Sequence, residues 1–84
     1  MTIRASRMRP IHPGEILRED YIANGVSVVS LARCMGVDRS LVDLLCAEGM
    51  PVNEYLAGLL SKALGTSPEF WLNLQAAYDR SIDE

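Results

Sequence analysis

One histidine and two cysteines leave little from which to build a metal centre. Cys34 and Cys46 fit neither a C-x-x-C pair nor any zinc spacing, and His12 lies far from both in sequence. Both cysteines are expected as reduced, partly buried thiols that pack as small hydrophobes. There is no glycine-rich phosphate loop, no Ser-His-Asp or Cys-His set at a workable spacing, and no carboxylate pair marking a cleft. These absences argue against an enzyme, a metal site and a bound cofactor. No apolar run approaches the ~20 residues that span a bilayer. The opening MTIRASRMRP is basic but is followed by no apolar signal core. A soluble cytoplasmic protein with no membrane partner is the expectation.

Positive charge is also scarce, and it is unevenly placed. The first twelve residues carry Arg4, Arg7 and Arg9 with no acid, whereas residues 13–84 hold five basic side chains (Arg18, Arg33, Arg39, Lys62, Arg80) against all eleven acids, a balance of −6. A nucleic-acid binder ordinarily shows a basic patch or a high isoelectric point. The whole chain instead carries −3. With 84 residues and a hydrophobic fraction of 49%, it can enclose one modest core, and disorder is excluded as a class. A domain this small gains from a second copy that covers further apolar surface.

What the sequence does contain is closely spaced helix punctuation. Pro13 suits a first helical position, with Glu15 favouring the positive helix end; Ile16, Leu17 and Tyr21 make a stripe before Asn24-Gly25 stops the helix. Ser27 caps a second helix with Leu31, Ala32 and Met35 on its inner face and Gly36 as its stop. Asp38 is a good cap for a third, roughly Arg39 to Ala47, ended by Glu48-Gly49; Val37, Leu41 and Leu45 read as core. Asn53 caps a fourth, in which Leu56, Leu60 and Leu64 repeat before Gly65. Thr66-Ser67-Pro68-Glu69 opens a fifth, in which Trp71, Leu74 and Tyr78 share a stripe beside Phe70. Sustained period-two alternation is missing, so the pattern predicts an all-α, five-helix domain over residues 11–80, a basic flexible arm over 1–10 and a frayed tail over 81–84.

Residues 27–47 read helix, glycine, short turn, helix, which is the helix-turn-helix outline. By itself it is weak, because any small helical bundle contains such a pair. Two flanking stretches are more specific. MRPIHPGEILRED (Met8 to Asp20) and ALGTSPEFWLNLQAAYDR (Ala63 to Arg80) resemble the opening and closing signatures of HigA-type antitoxins, of the XRE or lambda-repressor-like helix-turn-helix group, and LARCMGVDRS fits the central turn. The resemblance implies a five-helix cytoplasmic domain that dimerises, binds operator DNA upstream of its own gene pair and neutralises a cognate toxin, typically a small ribosome-dependent mRNA endonuclease. On that pattern Ser27, Arg33, Arg39, Ser40 and Asp43 are the candidate DNA-binding residues, and Phe70, Trp71, Leu74 and Tyr78 the candidate homodimer interface.

The chain departs from the family at several of these places. Val28 stands where an amide often meets a phosphate, Ser30 replaces a usual Glu, Asp43 takes a position often held by Asn, Glu48-Gly49-Met50 replaces Asn-Gly-Lys or Asn-Gly-Arg, and Leu59 replaces a usual Arg. Fewer cations near phosphates weaken binding to every sequence. An aspartate facing the groove can accept from cytosine N4 but also meets the phosphate field. Val28, Val29 and Leu59 form an apolar patch if exposed. The alternative reading is therefore a divergent helix-turn-helix domain that has lost DNA binding and acts only as a protein-interaction module.

Overall fold

A computed structural model describes residues 11–82, so the arm expected over residues 1–10 and the last two residues of the tail lie outside the described residues. Within them the chain forms five helices and no strand. Helix α1 begins as Pro13–Ile16 and continues as a wider, π-helical segment, Leu17–Ile22. Then follow α2 (Val28–Met35), α3 (Arg39–Cys46), α4 (Glu54–Leu64) and α5 (Pro68–Ile82). Ser81 and Ile82 thus extend the last helix, where fraying was expected.

The helix starts obey local chemistry with one exception. The side chains of Ser27, Asn53 and Ser67 accept from backbone N–H groups of Ser30, Leu56 and Phe70 at 3.2, 2.9 and 3.2 Å, satisfying amides that have no partner within the helix. Asp38 holds the cap position of α3 in extended backbone, but its side chain makes no capping bond. At α1 the cap is His12, whose Nδ1 accepts from the Gly14 N–H at 2.8 Å. This is the structural role at a helix start that its place before Pro13-Gly14 suggests. The π-helical turn shows in the Ala23 N–H, which reaches back five residues to the Arg18 carbonyl at 2.9 Å. Asn24 closes that end by donating from its side-chain amide to the Asp20 carbonyl at 2.9 Å.

Leu17, Leu31, Ala32, Met35, Val42, Leu45, Val52, Leu56, Ala57, Leu60 and Trp71 make the core. Val42 and Val52 lie deeper than the sequence pattern suggested; Leu41 and Leu64, expected inside, are only half-buried. Helix α4 packs on α5 and α2, and α1 bridges α3 and α5. Gly14 permits the closest approach, because a Cβ there would collide with the Leu45 carbonyl at the end of α3. Gly14→Ala should cost about 1–3 kcal/mol by forcing the two backbones apart. Thermal unfolding checks this, and an unchanged midpoint would show that α1 can slide without loss.

The buried polar groups are matched. Gln75 accepts from the Val52 N–H at 2.8 Å and donates to Asp79 at 2.9 Å, tying the α3–α4 connection to α5. Among the described residues no buried side-chain polar atom lacks a partner. Cys46 is half-buried, but Cys34 is exposed, against the expectation for both: it falls on the outer face of α2, opposite Leu31, Ala32 and Met35. Burial, with the nearby Asp43 charge, pushes the Cys46 thiol up, partly offset by Arg18. A maleimide at neutral pH should therefore modify Cys34 before Cys46, as read by mass spectrometry after brief exposure. The reverse order would contradict this packing.

Candidate nucleic-acid interface

The helix pair is joined as its sequence implies. Gly36 ends α2 in the left-handed conformation, at φ 74°, where its N–H and that of Val37 return to the Arg33 and Ala32 carbonyls at 3.1 and 3.0 Å. Helix α3 then leaves the turn with Val42 and Leu45 against the core and Arg39, Ser40, Asp43 and Leu44 facing out. Those four alternate around one face at the spacing of a helix surface.

Two of the candidate residues meet on that face. Arg39 Nε lies 3.5 Å from Asp43 Oδ2, one turn further on, with the side chains 65% and 54% exposed. In water such a pair adds only about 0.3–0.5 kcal/mol to stability, so both groups remain available to a ligand. Ser40 is exposed beside Arg39. Ser27 is exposed at the start of α2; its Oγ accepts from Ser30, which leaves its own O–H free to donate. Arg33 is exposed on α2 and makes no ion pair among the described residues.

The end of α3 is held by another cation. Arg18, from α1, donates to the Cys46 carbonyl and lies 3.5 Å from Glu48, while its Nε is paired with Glu19 at 3.1 Å. The bond to Glu19 leads the effects that raise the guanidinium pKa still further. Glu48 itself adopts a left-handed backbone at φ 62°, a conformation that costs a non-glycine residue of order 1 kcal/mol. Gly49 lies against the Leu44 side chain, which a Cβ there would push aside toward solvent.

Leu44, which the sequence did not single out, is 47% exposed on the outward face of α3. A leucine in a helix reads as core; only its phase, one turn from Ser40, marks it as outward. The apolar patch suggested by three substitutions is smaller than expected, because Val28 and Leu59 pack partly against the core and only Val29 stays exposed.

The four aromatic-helix candidates divide between core and surface. Trp71 is fully enclosed, its indole Nε1–H donating to Thr66 Oγ1 at 2.7 Å, so it packs inside the protomer and presents no face to a second copy. Tyr21 and Phe70 lie against it with ring centroids at 6.0 and 5.0 Å. Phe70 is 40% exposed, Leu74 is half-buried, and Tyr78 stands edge-on to His12 at 4.9 Å. Among the described residues no His, Cys, Asp and Glu cluster could hold a metal ion, and no helix is long and apolar enough to cross a membrane.

No family model matches the sequence. Individual proteins do. The antitoxin HigA-1 of Vibrio cholerae serotype O1 is 38% identical over 78 residues, covering 92% of this chain and 73% of the relative. Antitoxin GraA, solved in complex with its operator, is 47% identical with a TM-score of 0.83, over 90% of this chain and 78% of that one. Antitoxin HigA of Pseudomonas aeruginosa, solved with the higBA promoter, is 36% identical with a TM-score of 0.82, over 89% and 83%. Other relatives are described as helix-turn-helix transcriptional regulators. With the flanking signatures, the Gly36 turn and the outward face of α3 in place, the chain belongs to the HigA-type antitoxin family of helix-turn-helix proteins.

Proposed function

We propose that this protein is an antitoxin and transcriptional autoregulator that binds operator DNA as a dimer through α2 and α3 and neutralises a cognate mRNA-endonuclease toxin in the cytoplasm. The observation that carries the reading is the outward face of α3: Arg39, Ser40, Asp43 and Leu44 project from a rigid helix seated by Val42 and Leu45. Side chains on the first turns of such a helix contact base edges, while Ser27 and Arg33 on α2 meet phosphates. Relatives of the same fold, solved with operator or promoter DNA, support it. A symmetric dimer would set two α3 helices about one DNA turn apart. Phe70 is the exposed aromatic at the edge of the Trp71 cluster and the natural centre of that contact, with Leu74 and Tyr78 beside it.

Titration of the purified protein against the DNA upstream of its own gene, at ~50 and ~200 mM salt, tests the reading. Selective binding that weakens steeply with salt is expected. Affinity no better than for random duplex would leave a protein-interaction module without DNA function. Co-expression with the product of the adjacent gene tests the second half: rescue of growth and co-purification are expected, and neither occurring would remove the toxin.

A further inference from the structure

The ion pair on α3 has a polarity that one base pair can match. Arg39 Nε lies 3.5 Å from Asp43 Oδ2, one helix turn apart on the exposed face, so the pair sets the donors of a guanidinium fork beside a carboxylate acceptor along that face. In the major groove a G·C pair presents the two acceptors of guanine, N7 and O6, and then the N4–H donor of cytosine. We infer that Arg39 and Asp43 read one G·C base pair as a unit, the Arg39 fork on guanine N7 and O6 and the Asp43 carboxylate on cytosine N4–H. This rests on α3 being the helix that enters the groove.

The other three pairs fail for stated reasons. C·G presents the same groups in reverse order. A·T sets the adenine N6–H donor against the guanidinium and the thymine O4 acceptor against the carboxylate, and T·A offers neither order correctly. The pairing also accounts for an aspartate on a DNA-facing surface. A lone carboxylate is repelled by phosphates, whereas the Arg39–Asp43 unit is neutral and approaches the duplex without that penalty. It contributes little general affinity and much discrimination, which fits a domain whose residues 13–84 carry an excess of acid. Asp43→Asn therefore has opposite effects on two targets. Binding to random duplex strengthens as a negative charge is lost, and preference for the G·C pair falls.

The test is selection from a random-sequence duplex library by the wild type, Arg39→Ala and Asp43→Ala proteins. It is followed by binding of the wild type to the enriched site carrying N4-methylcytosine or 7-deazaguanine. The exposed pair contributes little to the fold, and circular dichroism verifies that both variants remain helical. Wild type should enrich one invariant G·C pair per half-site, and both variants should lose preference at that same pair. N4-methylcytosine there, which removes the groove-facing N4–H, and 7-deazaguanine, which removes N7, should each weaken the wild type about 10- to 100-fold. Unchanged enrichment by Asp43→Ala, or full wild-type affinity for N4-methylcytosine, overturns the inference and leaves the operator-binding reading standing. Loss of preference at two different base pairs overturns the single unit. Failure of the wild type to enrich any sequence overturns the operator-binding reading and this inference together.

Discussion

Trp71→Ala should cost about 3–5 kcal/mol, the range for removing a fully enclosed aromatic ring. The side chain is wholly buried, packed by Phe70 and Tyr21, and fixed by its indole donor to Thr66. Truncation opens a cavity between α1 and α5, strips both aromatic contacts and removes the link to the loop preceding α5. A chain of 84 residues has a total stability of only about 4–12 kcal/mol, so this one change removes a large fraction of it. The unfolding midpoint should fall by about 15–30 °C. Trp71→Phe should recover most of the packing but not the Thr66 bond, and fall between. Running the melts at several protein concentrations separates core from assembly. A constant deficit places the loss inside the protomer, whereas a deficit that closes on concentration would contradict the full enclosure of Trp71. A midpoint unchanged at every concentration would refute the core role.

The division between Trp71 and Phe70 also shows what local sequence can convey. The two are adjacent and both aromatic, and in a helix their side chains point about 100° apart, so one enters the core while the other borders solvent. Which one enters depends on where α1 lies, and α1 is positioned by the close approach of its Gly14 to the Leu45 carbonyl of α3, both far from either aromatic in sequence. Helix starts and stops were legible because their causes are local. Ser27, Asn53 and Ser67 bind amides three residues away, and Gly36 supplies its own left-handed turn. The π-helical half of α1 has no comparable signal, although the unusual Ile16–Tyr21 spacing agrees with it. Asp38 occupies its expected position without its expected bond, which propensity alone does not reveal. At the candidate interface, Arg39 and Asp43 could be named separately from their types, and their four-residue separation puts them on one face. Leu44 could not, since an apolar residue declares no partner, and its exposure follows only from the rotation that Val42 and Leu45 impose on α3.

Arg39→Ala should weaken operator binding by at least about 100-fold while leaving the fold almost untouched. The ion pair that is lost is exposed on both sides and worth only a few tenths of a kcal/mol, so the melting midpoint should move by no more than a few degrees. Binding loses more than one interaction. A good two-pronged contact to guanine contributes about 1–3 kcal/mol of discrimination. Removing its donor also leaves the Asp43 carboxylate unpaired beside phosphates, which adds repulsion that the neutral pair did not have. The combined loss should reach at least about 100-fold in affinity, measured by fluorescence anisotropy on the operator duplex. This makes the double variant Arg39→Ala/Asp43→Ala informative. If Asp43 becomes repulsive only when Arg39 is gone, the double variant binds more tightly than Arg39→Ala alone, a non-additive result expected of two groups acting as one. Equal affinity of Arg39→Ala and wild type would take Arg39 out of the interface. A double variant weaker than either single change would mean that each side chain holds its own contact, with Asp43 attractive to the duplex whether or not Arg39 is beside it.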